Sequence, residues 1–522
     1  MTAAASTLFQ HLCARAASTP DAPALSGPDG IVRYAALERR ARSVAAGLAG
    51  LGVRRGDVVA LQLPNTPAFV EALLGAGALG AVVQTVHLVY RRAELAALLG
   101  HSGARVYVGL ALLRDDSPAA TVLALRDGPE PALPALATVV AVGDPPPAAV
   151  GWAALAETPP AVTLPTMGPD DPYVLLYTSG TTASPKGVPT TARRFLGNAV
   201  DAAGEFGFGP GDVLLAAAPF SHLYGLFVLQ AALVSGAALA LLPTFTPAGL
   251  VETVRRDRVT ALFAGPAHFK PLLDQNAMRA ADFASVRLLC LSGTTVPPAL
   301  AADVEAHLPA GRVIQLWGMS ELQAGAYGRP ADPPTLRLET AGRAAPQTEL
   351  RVVDADGVRC AAGVEGRLQV RGAAVFDGYL HHPAATAAAF EDGWFDTGDT
   401  AVLRPDGALV LTGRTKELIN RGGVKFNPVD VEVLLDAVPG VGRCVLAPMP
   451  DPVLGERACA FVVPDGRAEV TLAALTAALD AAGVAKFKWP ERLELVEALP
   501  MTPTQKVRRP MLTELVKTRM TR

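Results

Sequence analysis

The stretch YTSGTTASPKGVP, residues 177–189, follows an apolar run that is typical of a β-strand. Gly180 lets the backbone approach a ligand closely, and Lys186 adds a cation that can pair with phosphate oxygens. Hydroxyl and amide donors come from the other small residues of the loop, Thr178, Ser179, Thr181 and Thr182. These donors and the single cation together predict a phosphate-binding loop, and the ligand that we expect is ATP.

The residue before the lysine separates this loop from the Walker A pattern. That pattern has a glycine directly before its lysine, whereas Pro185 stands there in this chain. A GTPase or kinase loop is therefore disfavoured, and a kinase would release ADP rather than AMP. For the tetrapeptide SGTT alone, a polar surface turn is the alternative, because such residues are common in turns.

Composition and charge limit the possible classes of protein. The chain has 522 residues, of which 50% are hydrophobic, and this predicts about three domains or subdomains with ample core. The formal net charge is −3 and the basic residues are dispersed, so no nucleic-acid partner is expected. The five cysteines lack CxxC spacing, which indicates neither a disulfide framework nor a zinc site and favours a reducing, cytoplasmic location.

Two segments bear on a possible membrane or secretory role. Residues 1–18 include an early His and Arg and have no continuous apolar run, which argues against a secretory signal. Residues 213–242 contain no Lys, Arg, Asp or Glu and are long enough for a transmembrane helix. Because Pro219 and Gly225 interrupt this run, we expect a strand, a turn and a buried helix rather than a transmembrane segment.

Hydrophobic periodicity predicts an α/β fold in the N-terminal half. Residues 34–51 have the pattern of an amphipathic helix, which Gly52 stops. A strand over residues 58–63 and an apolar helix over residues 68–80 follow. Alternation of this kind is typical of a parallel sheet covered by helices.

The chain resembles the adenylate-forming superfamily of acyl-CoA synthetases, luciferases and adenylation domains along nearly its whole length. The resemblance rests on the loop described above and on further motifs in the family's order: PFSHLYG (219–225), LSGTTVP (291–297), WGMSE (317–321), WFDTGD (394–399), GRTKELINRGG (413–423) and PTQKVRR (503–509). Within the family, the segment after residue 413 looks most like small-acid and aryl CoA ligases.

The resemblance and the pattern together predict the domain organisation. We expect a large N-terminal AMP-binding domain of α/β subdomains over residues 1–414, in which short β-type runs form a small β-rich subdomain from about 336 to 414. A small, mobile α+β domain is expected over residues 415–522. In it, Asn427 can cap a helix that Gly440 ends.

The resemblance implies a two-step reaction with ATP, Mg²⁺ and CoA. In the first step the carboxylate of a small-molecule acid attacks the α-phosphorus of ATP and pyrophosphate leaves. In the second step the thiol of CoA takes the acyl group and AMP leaves. An enzyme that loads an acyl carrier protein is the alternative, and a non-catalytic nucleotide-binding relative is another.

Several residues acquire expected roles in the first step from the resemblance. Lys506 would bridge the incoming carboxylate and the α-phosphate, and Glu321 and Thr181 would lie on the Mg²⁺ side. Trp317 would stack on adenine, and Asp399 would accept hydrogen bonds from the ribose hydroxyls. Further nucleotide contacts are expected from the motif residues Thr178, Ser179, Gly180, Thr182, Lys186, Ser292, Gly293, Thr294, Thr295, Gly318, Met319, Ser320 and Arg414.

Other motif residues would serve the second step. Lys416 lies where the family has a hinge, about which the C-terminal domain is expected to rotate and withdraw its catalytic lysine. Gly422 and Gly423 would leave a tunnel for the pantetheine arm, with Asn420 and Lys425 beside it. A glycine pair is also common in plain turns.

The acyl pocket is expected to begin at His222, although a single histidine is also common as a packed polar core group. The other expected pocket residues are Tyr224, His268, Ala324 and Gly325. Domains that activate amino acids place an aspartate in this region, and residues 219–242 contain none, so an α-amino acid is disfavoured. The expected wall segments, residues 265–268 and 323–326, carry no arginine to clamp a second carboxylate, although Lys270 is near. We therefore expect a monocarboxylic acid, whether fatty, aryl or short branched.

Three residues depart from the family pattern. Ala183 replaces a glycine of the phosphate loop, Ala192 stands where many relatives have histidine, and Gln505 replaces the glycine before Lys506. These changes are the basis of the non-catalytic alternative. Retention of Lys186, with the other expected site residues, favours an enzyme.

Overall fold

Packing divides the chain into two units. The computed structural model describes residues 7–129, 132–178, 185–293, 296–414, 418–426, 428–500, 507 and 509–520. The first unit consists of residues 1–88, 102–177 and 187–415, and the second of residues 89–101, 178–186 and 416–522. Nothing in the sequence pattern indicated that the two short segments, 89–101 and 178–186, belong with the C-terminal part, and the predicted domain boundaries stay predictions.

The N-terminal third of the chain provides a seven-stranded sheet, in the order β7-β6-β5-β3-β4-β8-β9. Its strands are parallel except for the antiparallel pair β8 and β9. The elements up to this point are α1 (Leu8–Ser18), β1 (Pro23–Gly27), β2 (Gly30–Arg33), α2 (Tyr34–Gly50), β3 (Val58–Gln62), α3 (Pro67–Ala78), β4 (Val82–Thr85), α4 (Arg92–Ser102), β5 (Val106–Leu110), α5 (Pro118–Asp127), β6 (Thr138–Val142), β7 (Val150–Gly151), α6 (Trp152–Ala156), β8 (Pro172–Tyr177) and β9 (Gly187–Thr191).

The next part of the chain, with β1 and β2, forms a nine-stranded sheet in the order β16-β15-β14-β13-β12-β10-β11-β1-β2. Strands β10 to β14 are parallel and buried on both faces, which explains their continuous apolar sequences. These elements are α7 (Ala192–Glu205), β10 (Val213–Ala216), α8 (Leu223–Ser235), β11 (Ala238–Ala240), α9 (Pro247–Asp257), β12 (Ala261–Ala264), α10 (Pro266–Asp274), β13 (Leu288–Leu291), α11 (Pro298–Ala306), β14 (Arg312–Met319), β15 (Gln323–Tyr327), α12 (Pro334–Arg337) and β16 (Arg343–Ala344).

A five-stranded antiparallel sheet completes the first unit, in the order β17-β18-β20-β19 with β21 beside β20. It consists of β17 (Thr348–Val353), β18 (Glu365–Gly372), α13 (Pro383–Ala387), β19 (Phe390–Glu391), β20 (Trp394–Leu403) and β21 (Leu409–Arg414). This sheet begins at Thr348, because β16 still belongs to the nine-stranded sheet. The bounds expected for a β-rich subdomain, about 336 to 414, stay a prediction.

The second unit is α+β. Its sheet has the order β23-β22-β25-β24 with β26 beside β25. The elements are β22 (Ile419–Arg421), β23 (Val424–Phe426), α14 (Pro428–Leu435), β24 (Val441–Asp451), β25 (Gly455–Pro464), α15 (Leu472–Ala481), a 3₁₀ turn (Lys486–Lys488), β26 (Pro490–Leu495) and α16 (Arg509–Met520). Within this unit, the buried carboxylate of Glu94 accepts a hydrogen bond from the backbone N–H of Ala485 and pairs with Lys488 Nζ at 3.3 Å. The segment 89–101 is therefore joined to the C-terminal sheet by a buried ion pair.

Comparison with the sequence expectations confirms most elements and corrects the ends of some. The uncharged run 213–242 is β10, a turn, the fully buried α8 and β11, as expected. Within the described ranges, no helix combines the length and hydropathy that crossing a bilayer requires. The helix expected to continue to Gly440 ends at Leu435, and its expected cap, Asn427, lies outside the described residues.

Candidate active site

The carboxyl edge of the nine-stranded sheet collects most of the candidate residues. Strands β10, β12, β13 and β14 are parallel neighbours, so the segments that follow them meet at the same edge. His222 comes after β10, His268 after β12, Ser292 directly after β13, and Glu321 in the turn after β14. These residues lie up to about a hundred positions apart in the sequence. The parallel pairing of the strands brings them to the same edge of the sheet.

Trp317 and Asp399 are joined directly. The indole Nε1–H of Trp317 donates to Asp399 Oδ2 at 3.0 Å, and both side chains are buried. Asp399 lies on β20, where its backbone N–H donates to Thr397 Oγ1 and its Cα pairs with that of Arg414 on β21. The structure therefore brings together two residues that the sequence assigned separately to adenine and ribose; their roles toward nucleotide stay predictions.

The hairpin of β14 and β15 fixes the position of the indole. Trp317 pairs with Ala326 and Gly318 with Ala324, so Gly325 is an extra residue in the ladder, a β-bulge. A Cβ at Gly325 would lie 2.4 Å from Trp317 Cζ3, and a Cβ at Gly318 would lie 1.9 Å from the carbonyl oxygen of Gln323. Both glycines are thus required by close packing within the hairpin.

Glu321 lies in the turn between β14 and β15 and is 5% exposed. Its Oε1 accepts a hydrogen bond from the Tyr379 hydroxyl at 3.0 Å, and its carbonyl oxygen accepts one from Phe376 N–H at 2.8 Å. Burial, together with the negative charge of Glu321, raises the pKa of Tyr379 far above its usual value, so this phenol remains a donor. None of the sequence motifs contains Tyr379, so sequence analysis did not identify this residue.

The residues at the expected acyl pocket are packed against their neighbours. His222 caps α8 by accepting from Tyr224 N–H through Nδ1 at 3.2 Å, and its ring stacks on that of His87 at 6.0 Å between centroids. His87 Nδ1 lies 3.0 Å from Ser221 Oγ. Burial and the neighbouring His222 lower the pKa of His87 to about 3, so it is uncharged at neutral pH.

Two further aromatic residues of this region are held by backbone groups. The Tyr224 hydroxyl donates to Cys290 O on β13 at 2.8 Å. His268 Nδ1 accepts from Gly265 N–H at 2.9 Å, and its ring packs edge-on against Phe245. Burial lowers the pKa of His268. These contacts are those of packed polar residues in a protein core, which is the alternative that the sequence left open for the histidine. A role in an acyl pocket stays a prediction.

The expected CoA residues form a tight hairpin in the second unit. Asn420 pairs with Lys425 and Arg421 with Val424 across a two-residue turn of Gly422 and Gly423. Both glycines have positive φ, 59° and 89°, which this kind of turn requires. The turn alone thus accounts for the glycines. A Cβ at Gly423 would meet no heavy atom within 4 Å, so the space beside this glycine is open, and a role toward CoA stays a prediction.

The structure describes only some of the remaining residues that are expected to bind nucleotide. Thr178 N–H donates to Lys186 O at 3.1 Å and closes the base of the expected phosphate loop. Ser292 is buried and donates its N–H to Ala264 O, while Gly293 has φ 93°. The candidates Ser179, Gly180, Thr181, Thr182, Thr294, Thr295, Lys416 and Lys506 lie outside the described residues.

No group of three or more His, Cys, Asp or Glu side chains within the described ranges is arranged to hold a metal ion. The carboxylate of Glu321 at the sheet edge still fits Mg²⁺, because this ion is bound in proteins through one or two carboxylates together with substrate phosphates and water.

Comparison with known families matches residues 12–380 to the AMP-binding enzymes and residues 430–506 to the C-terminal domain of the AMP-binding enzymes. The chain belongs to the AMP-binding enzyme family. Its resemblance to the adenylate-forming superfamily is thus confirmed, and so is the fold of a large α/β N-terminal domain with a small C-terminal domain. It is an enzyme of the AMP-forming ligase kind, and CoA ligases of this kind use ATP and CoA.

The relatives of this AMP-binding enzyme span its whole length. The sulfoacetate–CoA ligase of Cupriavidus necator is 34% identical over 96% of each chain. The salicyl-AMP ligase / salicyl-S-ArCP synthetase of Mycobacterium tuberculosis is 35% identical over 92% of this chain and 84% of its own. Among solved structures, the amide bond synthetase McbA of Marinactinospora thermotolerans superimposes with a TM-score of 0.86 at 25% identity, covering 98% of this chain and 99% of its own.

Proposed function

We propose that this enzyme activates a monocarboxylic acid with ATP and transfers the acyl group to the thiol of CoA. In the first step a carboxylate oxygen attacks the α-phosphorus, and pyrophosphate leaves. In the second step the thiolate sulfur attacks the acyl carbonyl, and AMP leaves. The observation that carries the proposal is the carboxyl edge of the nine-stranded sheet, where Glu321 and the Trp317–Asp399 pair lie together in one unit.

In the adenylation step, Trp317 would stack on adenine and Asp399 would accept from the ribose. Lys506 and Lys186 would neutralise charge on the phosphates while the carboxylate attacks. Mg²⁺, held by Glu321 and the hydroxyl of Thr181, would supply positive charge to the phosphate oxygens. Glu321 is suited to this role because the Tyr379 hydroxyl donates to its Oε1 and the Phe376 N–H donates to its backbone carbonyl oxygen, and these two bonds orient the residue.

An acid with an uncharged tail suits the proposed pocket. His87 and His268 both have lowered pKa values because they are buried, so these imidazoles are neutral near pH 7. A neutral wall does not compensate a second carboxylate, whose burial without a partner is costly. Fatty, aryl and short branched monocarboxylic acids all meet this requirement.

A carrier protein is the second candidate for the acyl acceptor. The relative that is named as a salicyl-S-ArCP synthetase supports it, at an identity similar to that of the CoA ligase relatives. In both cases the acceptor is a phosphopantetheine thiol, so the chemistry of the second step is the same.

Two assays test the proposal. ATP–pyrophosphate exchange with a panel of monocarboxylic acids should show an acid-dependent signal and AMP, not ADP, as the nucleotide product. Free CoA added with the best acid should then give a thioester. Thioester on a phosphopantetheinyl protein only would favour carrier loading, and no exchange with any acid would favour the non-catalytic alternative suggested by Ala183, Ala192 and Gln505.

A further inference from the structure

We propose that Asn198, on α7, is a positioning residue that fixes the β14–β15 hairpin and thereby the carboxylate of Glu321; the inference rests on the proposed function. Asn198 Nδ2 donates to Ala324 O at 2.8 Å, and Asn198 Oδ1 accepts from Ala324 N–H at 3.1 Å. Asn198 and Ala324 are 5% and 3% exposed, so water does not compete for either bond. The Asn198 carboxamide thus pairs with both the backbone N–H and the backbone carbonyl of Ala324, which lies 126 positions away in the sequence.

The need for this contact comes from the bulge. Strand β16 pairs with Ala326 and Tyr327 and does not reach Ala324, so the ladder stops short of this residue on that side. A carboxamide has one donor and one acceptor with the geometry of a peptide group, and Asn198 therefore continues the pairing in place of a strand. Neither Ala nor Leu can do so, and Asp supplies only the acceptor.

The next residue toward the turn is held by the same helix. Gln323 has φ 61°, in the left-handed region that non-glycine residues rarely adopt. Its Nε2 donates to the carbonyl oxygen of Arg194, on the same helix as Asn198. A strained backbone persists where surrounding contacts fix it, and α7 supplies two such contacts to consecutive residues of the hairpin.

Glu321 is enclosed on its other side by the segment 376–379. Phe376 N–H and Tyr379 O–H donate to Glu321, and the guanidinium of Arg194 pairs with Asp377 within that segment, one bond being 2.7 Å. Helix α7 therefore contacts both parts of the chain that hold the carboxylate. Because a displacement of about 1 Å can lower a catalytic rate by about 100-fold, these contacts bear directly on adenylation.

A double-mutant cycle between Asn198 and Glu321 tests the inference. We expect Asn198→Ala to lower kcat for acid-dependent pyrophosphate exchange by about 10-fold to 100-fold and to raise the Mg²⁺ concentration needed for half-maximal rate. If Asn198 acts through Glu321, the same substitution should cause little further loss in a Glu321→Gln background. Equal losses in both backgrounds would overturn the inference.

Tyr34→Phe is the matched control, because it removes one buried hydrogen bond between a side chain and the backbone, from the Tyr34 hydroxyl to Ala237 O at 2.8 Å. It should lower the melting temperature and leave kcat and the Mg²⁺ dependence unchanged. If it reproduced the kinetic effects of Asn198→Ala, general destabilisation would explain both and the inference would fail.

Two additions keep the test decisive. If Asn198→Ala does not fold, Gln323→Gly serves instead, because glycine adopts the left-handed backbone without strain while the bond to Arg194 is lost. If the unmodified enzyme shows no exchange with any acid, the proposed function fails by itself. The same cycle is then measured as binding of ATP with Mg²⁺ by calorimetry, where additive losses would overturn the role of Asn198 and non-additive losses would support it.

Discussion

At the scale of single residues, Asp399 makes a structural contact and is expected to bind the ribose as well. Its carboxylate is buried and accepts from Trp317 Nε1, which orients the ring expected to stack on adenine. A carboxylate offers about four acceptor positions, so its two oxygens can accept from the indole N–H and from the ribose hydroxyls at the same time. The charge of Asp399 should therefore matter more for nucleotide than for folding.

We predict that Asp399→Asn lowers kcat/KM for ATP by about 10-fold to 100-fold, because hydrogen bonds to a charged acceptor contribute about 1.5–3 kcal/mol. Steady-state exchange at varied ATP measures this. Asp212→Asn is the control, since Asp212 pairs with Arg287 at 2.9 Å and lies in none of the candidate motifs. It should reduce thermal stability without changing kcat/KM for ATP, and an equal kinetic effect of the two substitutions would contradict the prediction.

Lys506 offers a second prediction at this scale. Lys506→Ala should slow acyl-adenylate formation by about 10²-fold to 10³-fold, as loss of one preorganised charge stabiliser does in other enzymes. Conversion of synthetic acyl-AMP and CoA to thioester should continue at the original rate, because the lysine is expected to be withdrawn in that step. Lys517→Ala is the control, an exposed lysine paired with Glu514. A loss confined to the second step would contradict the assigned role.

At the scale of elements, the hairpin of β14 and β15 determines where Trp317 and Glu321 lie. Strand β14 runs from Arg312 to Met319 and therefore includes the first three residues of the WGMSE motif. The bulge at Gly325 has no signal in the sequence, since an extra residue in a ladder becomes visible only when the partner strand is known. The absence of a side chain at Gly325 is explained by the Trp317 ring, which packs against this residue.

We predict that Gly325→Ala displaces the indole of Trp317, because the new Cβ would lie 2.4 Å from Cζ3 and 2.8 Å from Leu322 Cδ1. Affinity for ATP should fall, and the unfolding free energy should drop by about 1–3 kcal/mol from overpacking. Calorimetry and chemical denaturation measure the two effects. Gly204→Ala on α7 is the control: its Cβ would meet nothing within 4 Å, and the substitution should leave affinity unchanged and stabilise the helix.

At the scale of the whole molecule, buried neutral histidines make stability depend on pH. His87 has a folded-state pKa of about 3, below the value of about 6.5 in an unfolded chain. Between these values the unfolded state binds more protons than the folded state. The contribution of His87 is therefore fully present above about pH 6.5 and is lost as the pH falls toward 3.

We predict that His87 accounts for a decrease of about 2 kcal/mol in the unfolding free energy between pH 7 and pH 5. His87→Gln should show a correspondingly shallower decrease in urea denaturation at the two pH values. His307→Gln, at a partly exposed helix end, serves as the control and should retain the original pH dependence. Identical slopes in all three proteins would contradict the prediction.

Motifs and periodicity predicted the class of fold, which is confirmed, and a set of candidate site residues, whose roles stay predictions. The contacts among those residues could not be predicted from motifs or periodicity. The strand before the phosphate loop, the buried uncharged helix α8 and short strands within the range from about 336 to 414 were all predicted, because burial imposes apolar runs or apolar alternation on the local sequence. Asn198 and Tyr379 were missed, since each contacts the site through a fold-dependent bond and neither lies in a motif.

The amino-acid sequence by itself determined the order of the motifs, the alternation of strands and helices, and the family, because these depend on residue types at short spacing. Tertiary structure decided that Trp317 donates to Asp399, that α7 holds the hairpin of Glu321, and that residues 89–101 pack with the C-terminal sheet. Contacts of this kind join residues 82 to 391 positions apart, and their existence depends on strand order and register, which local sequence does not encode.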